Sequence, residues 1–300
     1  MNALVVDHAA PGRLALHEVD DPVPGPDEVL IGVEAISLNH GELPREGADE
    51  GVVPGWDAAG IVLAEAADGT GPAAGSRVVS RNARGGWAQL RTAQVGNIAV
   101  LPDSVSFEHA AVLPVAAVTA LEALRAAGAI LGRRVLVTGA SGGVGRFAVQ
   151  LAHLGGAHVV ALAGSEARAA GLRELGADEV VYSLAELDRP LDAVIENVGG
   201  EVLVGAFGLL EPGGVAVSIG SASRAPALFP PYATVGGGRR LVAFSMAPTS
   251  GEDLAYLVAL LAEGRLNPEI GFLADWERAG EAAELLLARK IQGKAVLRVR

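Results

Sequence analysis

The stretch that decides the fold is "VLVTGASGGVGRFAVQLA", which runs from Val135 to Ala152 and fits three different enzyme motifs. From Gly139, "GASGG" matches the G-x-S-x-G turn that presents the nucleophilic serine of α/β-hydrolases. From Thr138, "TGASGGVG" looks like the T-G-x-x-x-G-x-G turn of short-chain dehydrogenases. From Ala140, "ASGGVG" is a dinucleotide fingerprint G-x-G-x-x-G with alanine in the first place and an additional Gly143.

The histidines of the chain rule out the hydrolase interpretation. In that class the catalytic acid and then the histidine follow the serine along the chain. Only His153 and His158 follow Ser141, and they come within or directly after the next predicted helix. No strands and no acid can therefore lie between the serine and its histidine.

The tyrosines rule out the short-chain dehydrogenase interpretation. That class has its glycine turn near the N-terminus and later uses a Tyr-x-x-x-Lys pair as proton donor. Here the turn lies near the middle of the chain, and no tyrosine is followed by lysine four positions later. The residues at those positions are Glu186, Gly236 and Leu260.

The dinucleotide interpretation has the structural context that it needs. A buried strand, "RVLVT", is predicted before the turn, and apolar residues at helical spacing follow over 144–154. In this motif Gly142 lets the backbone approach the pyrophosphate, and Gly145 lets the helix and strand pack closely. The helix N-terminus faces the negative phosphates. The sequence therefore predicts a dinucleotide-binding domain.

The end of the next strand favours NADPH over NADH. Proteins built for NAD usually place an acid about 20 residues beyond the glycines, where it holds the ribose hydroxyls. In "VVALAGSEARAAGL" the strand ends at Ala163, Gly164 and Ser165, and Arg168 follows. A 2′-phosphate would meet no fixed anion at 163 or 164, and Ser165 and Arg168 could hydrogen-bond to it.

Composition excludes several functional classes. The 300 residues, half of them hydrophobic, suffice for one large domain or two ordinary ones, and a cofactor domain in mid-chain favours two. A net charge of -12 and no dense block of Lys or Arg argue against nucleic-acid and anionic-membrane partners. The chain has no cysteine, which excludes disulfides, thiolate zinc sites and cysteine nucleophiles.

No segment of the sequence predicts export or membrane insertion. The start, "MNALVVDHAAPGRL", has no basic stretch ahead of an apolar core. The longest apolar run, 110–121, is too short to span a bilayer and contains Pro114 and Thr119. We therefore expect a cytoplasmic protein without a membrane partner.

The order of elements predicts an α/β protein with a second, β-rich part. The first ~100 residues read as short strands, such as "EVLIGVEAI" and "RVVS", separated by Pro/Gly turns. Ser106 could cap a long apolar helix that ends near Gly128. Val- and Ile-rich strands then alternate with helices, one of them at 166–175, which is typical of a parallel sheet covered on both faces. The final strand, "KAVLRVR", is expected to rejoin the first part.

A series of short motifs runs through nearly the whole chain. In order, they are "ISLNHGE", "VPGWDAAGIV", "GGWAQL", "LPDSVSFEHAAVLPVAAVTALEAL", "VLVTGASGGVGRFAVQLA", "LRELGADEVV", "DAVIENVGG", "LLEPGGVAVSIGS" and "IQGKAVL". Taken together, their order and spacing resemble the zinc-independent, quinone oxidoreductase-like branch of the medium-chain dehydrogenase/reductase superfamily. The segment between Asn39 and Pro54 is shorter than usual in that branch and lacks its common tyrosine. The substrate pocket is therefore the part of this protein that the resemblance describes least.

The resemblance implies a GroES-like catalytic domain at 1–109 and 248–300, a Rossmann NADP-binding domain at 110–247, and no metal. Asn39 and Thr119 would lie near the nicotinamide, in a cleft where it meets the substrate, and Asn39 would act by positioning. The other implied cofactor residues are Ser141, Gly142, Gly143 and Val144 at the pyrophosphate; Gly164, Ser165 and Arg168 at the adenosine end; Asn197, Val198 and Gly220 after the fourth and fifth strands; and Phe244 and Ser245 beside the nicotinamide.

The leading hypothesis is an NADPH-dependent reductase that delivers hydride to an electrophilic small molecule, either a quinone or an α,β-unsaturated carbonyl. The resemblance places "RLVAFSM" at a sheet edge, where an apolar strand would favour a homodimer. Two alternatives remain open. One is a zinc-free alcohol or polyketide-tailoring reductase on the same fold, and the other is an NADPH-binding sensor without turnover.

Overall fold

The computed structural model describes residues 1–299. The strands are β1 (Asn2–Val6), β2 (Leu14–Glu18), β3 (Glu28–Leu38), β4 (Asp57–Ala64), β5 (Arg77–Arg81), β6 (Leu90–Gln94), β7 (Ile98–Val100), β8 (Arg134–Thr138), β9 (His158–Leu162), β10 (Glu179–Val181), β11 (Leu191–Glu196), β12 (Leu210–Ser218), β13 (Arg240–Ala243), β14 (Ile270–Asp275) and β15 (Lys294–Arg298). The α-helices are α1 (Phe107–Ala110), α2 (Val118–Ala127), α3 (Gly143–Leu154), α4 (Glu166–Ala169), α5 (Gly200–Gly208), α6 (Gly251–Ala262) and α7 (Ala279–Leu287).

The chain divides into two compact units, the first of them discontinuous in sequence. Unit 1 contains Met1–Val118 and Ala247–Arg300, and unit 2 contains Thr119–Met246. The first division thus follows residue 118, whereas the sequence predicts it after residue 109. The difference arises because α1 and the helical turn after it pack against β3, β4 and β5 of unit 1.

Unit 2 is built on a six-stranded sheet in the order β10-β9-β8-β11-β12-β13. Every neighbouring pair is parallel. Counted within the unit, this is the strand order 3-2-1-4-5-6 of a doubly wound Rossmann sheet, which confirms the predicted fold class. The order reverses between β8 and β11, and such sheets bind ligands beyond the carboxyl ends of their strands at this switch point.

The central strands of unit 2 are largely apolar and buried, the pattern expected of a parallel sheet that is covered on both faces. All five residues of β8 are buried. The core of this unit includes Leu136, Val160, Val194 and Phe207. This packing holds the carboxyl ends of β8 and β11 in place for the site described below.

Unit 1 is β-rich, as the resemblance to GroES-like domains implies. Its seven-stranded sheet has the order β14-β15-β3-β4-β5-β7, with β6 also paired to β3, and β1 and β2 form a separate pair. β15 runs antiparallel to β3, so the final strand does rejoin the first part of the chain. The core of this unit contains Ile31, Trp87, Trp276 and Leu297.

Two helices are shorter than the sequence predicts. The Ser106 side chain accepts a hydrogen bond from the backbone N–H of His109, yet α1 ends at Ala110 and a π-helical turn separates it from α2. That turn contains Pro114, which has no N–H to donate and interrupts α-helical bonding. α4 ends at Ala169 rather than near 175, because Ala170 is extended and Gly171 has a φ of +81°.

One helical stretch, Phe107–Ala127, has the length and composition to cross a membrane. This stretch is longer than the apolar run at 110–121 because it contains all of α1, the π-helical turn and α2. Most of the stretch is buried within the protein. Burial of this kind is typical of a core helix that is hydrophobic on all sides.

Candidate functional site

A glycine turn joins β8 to α3 at the switch point of unit 2. Gly139 has a φ of +58°, the left-handed region that favours glycine. A Cβ at Gly145 would lie 2.3 Å from the backbone oxygen of Gly139 and 2.7 Å from the Cα of Ala140. Only glycine lets α3 begin this close to the end of β8, so the predicted packing role of Gly145 is confirmed.

The N-terminus of α3 is open on its outer side. Gly142, Gly143 and Val144 are each partly exposed. A Cβ at Gly142 would meet only the oxygen of Gly139, at 3.4 Å, so the fold itself leaves room for a side chain there. The first-turn N–H groups of a helix have no intrahelical partners, and the helix dipole favours negative charge at this end. The turn therefore offers the donors and the space that a phosphate requires.

Two of the predicted site residues, Ser141 before β9 in the sequence and Arg168 after it, are in contact in unit 2. The Nε of Arg168, on α4, donates to the Oγ of Ser141 at 3.2 Å. Between them along the chain, Gly164 and Ser165 are exposed, and a Cβ at Gly164 would meet nothing within 4 Å. Arg168 on α4 thus contacts the hydroxyl of Ser141 in the turn after β8, and Ser165 and the exposed acid Glu166 follow β9.

A buried carboxylate occupies the end of β11. Glu196 is fully buried, and its oxygens accept hydrogen bonds from the Thr138 hydroxyl at 2.9 Å and from two backbone N–H groups, of Val198 and Gly199. The Glu196 carboxyl group thus already occupies backbone N–H donors at the start of α5.

The predicted residues after the fourth and fifth strands lie together at the same edge. Asn197 donates from its backbone and side-chain nitrogens to the hydroxyl and carbonyl oxygens of Thr138, both at 2.9 Å. A Cβ at Gly220 would lie 3.2 Å from the oxygen of Asn197. Val198 accepts at its carbonyl from the N–H of Ser223 at 2.8 Å. These bonds tie the loops after β8, β11 and β12 to one another.

The remaining predicted cofactor residues of unit 2 lie elsewhere along it. Phe244 is half-buried just after β13, where its N–H donates to the carbonyl of Ser218, and Ser245 is exposed. Thr119 is buried in the first turn of α2.

A separate polar cluster surrounds Asn39 in unit 1. Asn39 follows β3, and its Nδ2 donates to the Oε1 of Glu42 at 2.9 Å and to the Oδ2 of Asp57 at 2.8 Å. The Nζ of Lys294, at the start of β15, donates to the Oδ1 of Asn39 and lies 3.4 Å from Asp57 Oδ2. Arg91 on β6 interacts electrostatically with both carboxylates and donates to the carbonyl of Trp56 at 3.2 Å.

Burial governs the electrostatics of this cluster. It raises the pKa of Glu42 to about 8, with the neighbouring Asp57 carboxylate adding to the rise. Burial also lowers the pKa of Arg91 to about 10, although the carboxylates of Asp57 and Glu42 oppose this. Asp57 is fully buried and Lys294 is 3% exposed, so their attraction acts in a poorly screened environment.

Of this cluster the sequence analysis identified Asn39, but it did not single out Glu42, Arg91 or Lys294. The available signal was a charged residue at the start of a buried strand, as in "KAVLRV". Glu196 was missed in the same way, although it ends the apolar run "DAVIE". Charged residues are rarely buried without partners, so such positions indicate polar clusters.

Across residues 1–299, no group of three or more His, Asp or Glu side chains is arranged so that it could hold a metal ion. The polar groups around Glu196 and around Asn39 are therefore described by hydrogen bonds and charge pairs among side chains and backbone.

The chain is similar to known oxidoreductases over nearly its whole length. Residues 25–121 match the family described as "Alcohol dehydrogenase GroES-like domain", and residues 143–263 match "Zinc-binding dehydrogenase". It is 31% identical to a mouse (Mus musculus) quinone oxidoreductase, with 93% of this chain and 92% of the relative covered. It is also 31% identical to a 2-methylene-furan-3-one reductase of Solanum lycopersicum, covering 90% of this chain and 71% of the relative. A mycobacterial protein solved in complex with NADPH has a TM-score of 0.86 and 27% identity, over 99% of both chains.

Proposed function

The chain belongs to the quinone oxidoreductase-like branch of the medium-chain dehydrogenase/reductase superfamily and is an oxidoreductase of that family. From this we propose that it uses NADPH to reduce a quinone or an α,β-unsaturated carbonyl. The observation that carries the proposal is the contact between Arg168 and Ser141 beside the glycine turn. The names of the mouse and tomato relatives support the two acceptor classes.

The residues of unit 2 fit a dinucleotide with an additional phosphate. The open N-terminus of α3 offers backbone donors for the pyrophosphate, and Gly142 leaves the space in front of it clear. Arg168, Ser165 and the hydroxyl of Ser141 offer charge and hydrogen bonds for a 2′-phosphate near Gly164. The NADPH-bound mycobacterial relative supports the same cofactor.

The chemistry required of the protein is modest for these acceptors. When bound, the nicotinamide supplies a hydride to the substrate. A reduced quinone or enone leaves a phenolate or enolate, which needs hydrogen bonds as it forms and can take its proton from water afterwards. A simple ketone would leave a far more basic alkoxide and would require a proton donor. Asn39 is proposed to position a reactant rather than to transfer a proton.

A panel of acceptors tests the proposed reaction. Quinones, enones and saturated ketones are each supplied with NADPH, and loss of NADPH absorbance is followed. We expect turnover with quinones or enones and little with saturated ketones. Efficient turnover of saturated ketones alone would instead support an alcohol-type reductase. Cofactor binding without turnover of any acceptor would support a sensor.

Replacing Arg168 with alanine tests the cofactor preference. We expect the KM for NADPH to rise about 10- to 150-fold with little change for NADH, because only NADPH carries the phosphate and a charge-assisted bond contributes roughly 1.5–3 kcal/mol. Initial rates with both cofactors give the measurement. Arg173→Ala, an exposed change in the same segment, is the control. Equal losses for both cofactors would mean that Arg168 only supports the fold.

We also propose that activity requires no zinc. The chain has no cysteine, the residue with which zinc-dependent relatives bind both catalytic and structural metal. Incubation with a chelator, followed by gel filtration, is expected to leave the rate of NADPH oxidation unchanged. Stoichiometric zinc by elemental analysis, removed in parallel with activity, would contradict the proposal.

The protein is further proposed to be cytoplasmic and to form a homodimer through β13. This strand pairs only with β12 within the described residues, and Leu241 on it is 43% exposed. An apolar sheet edge favours pairing with a second chain. Light scattering at micromolar concentration should give a dimer for the native protein and a monomer for Leu241→Lys. Leu131→Lys, another exposed site in unit 2, should remain dimeric; a monomeric native protein would contradict the proposal.

A further inference from the structure

The helix α4 in unit 2 is too short to hold its own position. It is a single turn of four residues, and helices of this length do not persist alone because the first turn is costly to form. The carbonyl groups at the end of a helix also have no partners within it. The position of α4 therefore depends on its contacts with neighbouring elements of unit 2.

Two hydrogen bonds connect the end of α4 to the beginning of α3. The first is the bond from the Arg168 side chain to Ser141 described above. In the second, the Nη2 of Arg146, near the start of α3, donates to the carbonyl oxygen of Ala170 at 2.6 Å. Ala170 is the residue at which α4 ends, so Arg146 supplies a charged donor to a carbonyl at the helix terminus.

The chain leaves α4 around the Arg146 guanidinium. A Cβ at Gly171 would lie 3.4 Å from Arg146 Nη1, and the φ of +81° at Gly171 turns the chain out of the helical path. Leu172 follows and is fully buried. The segment is thus held by the guanidinium at 170–171 and by an apolar side chain directly after it.

The location of Arg146 is unfavourable for α3 itself. The residue is 4% exposed, so its guanidinium has lost most of its hydration. It also lies near the N-terminal end of α3, where the helix dipole favours negative charge. The apolar face of α3 does not need this cation, because Phe147, Ala148 and Leu151 supply buried contacts. What Arg146 holds in place is therefore the segment after β9.

We propose that Arg146 is a positioning residue for cofactor selection, which fixes the end of α4 and thereby holds Arg168 in position for a 2′-phosphate. This inference rests on the proposed function and makes it more specific. Ala170 is two residues from Arg168, so a backbone shift at 170 also displaces Arg168. The preference for NADPH over NADH thus depends on a buried residue of α3 that does not itself contact the cofactor.

A double-mutant cycle separates this role from a structural one. Dissociation constants for NADPH and NADH are measured by titration without acceptor, for native protein, Arg146→Met, Arg168→Ala and the double variant. Methionine is also long and unbranched but donates no hydrogen bond. We expect Arg146→Met to weaken NADPH binding about 3- to 10-fold, the effect of one hydrogen bond, and NADH binding less than about twofold. In the Arg168→Ala background the same change should weaken NADPH binding less than about twofold.

Hydrogen exchange of the cofactor-free protein gives a readout that does not depend on binding. In Arg146→Met the peptide 166–172 should exchange faster than in native protein, whereas the peptide covering α5 should not change. Arg146→Gln, whose amide is too short to reach Ala170, should behave in the same way and replaces the methionine variant if that one does not fold. Arg133→Met removes an exposed charge from the same unit and is the control, which should match native protein in both measurements.

Three results would overturn the inference. Losses that add in the double variant would mean that Arg146 acts on the cofactor independently of Arg168. Equal weakening of NADPH and NADH binding would make Arg146 a structural residue. Unchanged exchange over 166–172 would show that α4 keeps its position without this bond. If Arg168→Ala fails to discriminate between the cofactors, the proposed NADPH preference fails instead, and the exchange experiment still decides whether Arg146 holds α4.

Discussion

Replacement of Lys294 with methionine is expected to lower the free energy of unfolding by about 3–5 kcal/mol, the cost of leaving a buried charge without its partner. Lys294 donates to the carbonyl of Leu38 and to Asn39 Oδ1 and lies 3.4 Å from the fully buried Asp57 carboxylate. Methionine fills a similar volume but supplies no charge. Equilibrium denaturation with urea, monitored by circular dichroism, gives the measurement.

The control for this prediction is Lys290→Met, an exposed lysine just before the same strand. It should change stability by no more than about 0.5 kcal/mol. Adding Asp57→Asn to Lys294→Met should recover part of the loss, because the uncompensated carboxylate is then removed. A loss below about 1 kcal/mol for Lys294→Met would mean that Arg91 alone balances Asp57.

Replacement of Gly145 with alanine is the second change with a large expected effect. The added Cβ would lie 2.3 Å from the Gly139 oxygen and 2.7 Å from the Ala140 Cα, and both are backbone atoms that cannot rotate away. α3 must therefore move from the end of β8. We expect a loss of about 3 kcal/mol, at the upper end of the range for overpacking, together with more than tenfold weaker NADPH binding. Denaturation and NADPH titration measure the two effects.

Gly142→Ala is the matched control for the glycine turn. Its Cβ would be 3.4 Å from the nearest atom, an ordinary contact, so stability should be almost unchanged. NADPH binding should still weaken, because the proposed pyrophosphate position lies against this backbone. Normal NADPH affinity in Gly142→Ala would argue against that position. Native stability in Gly145→Ala would show that α3 can shift without cost.

The Rossmann unit was predictable because its signals are local. Each strand is a short apolar run, and α3 was predicted from 144 and begins at Gly143. The helix prediction was wrong where the backbone conformation of one or two residues ends a helix although the helical spacing of apolar residues continues. At 166–175 the helix stops because Ala170 is extended and Gly171 is left-handed, although the sequence continues with good helix formers.

The Asn39 cluster could not be predicted from the residues alone, because its members are distant in sequence. Lys294 reaches Asn39 through the pairing of β15 with β3, in which Ala295 lies opposite Leu38. A shift of one residue in that register would turn the lysine to the other face of the sheet. Such a register depends on the packing of the whole unit. The motif resemblance identified Asn39 but gave no account of what orients it.

The pairing of β15 with β3 also determines the order in which the two units can be completed during synthesis. Unit 2 is a continuous stretch, Thr119–Met246, whose strands can all pair once that stretch has left the ribosome. The sheet of unit 1 cannot close until β15 emerges, since Lys294 and Leu38 are 256 positions apart. Until then β3 exposes an unpaired edge, and the Asp57 carboxylate lacks its lysine. The nascent chain thus carries a completed Rossmann unit while unit 1 still has an unpaired sheet edge, a surface of the kind that makes partly folded chains prone to aggregation.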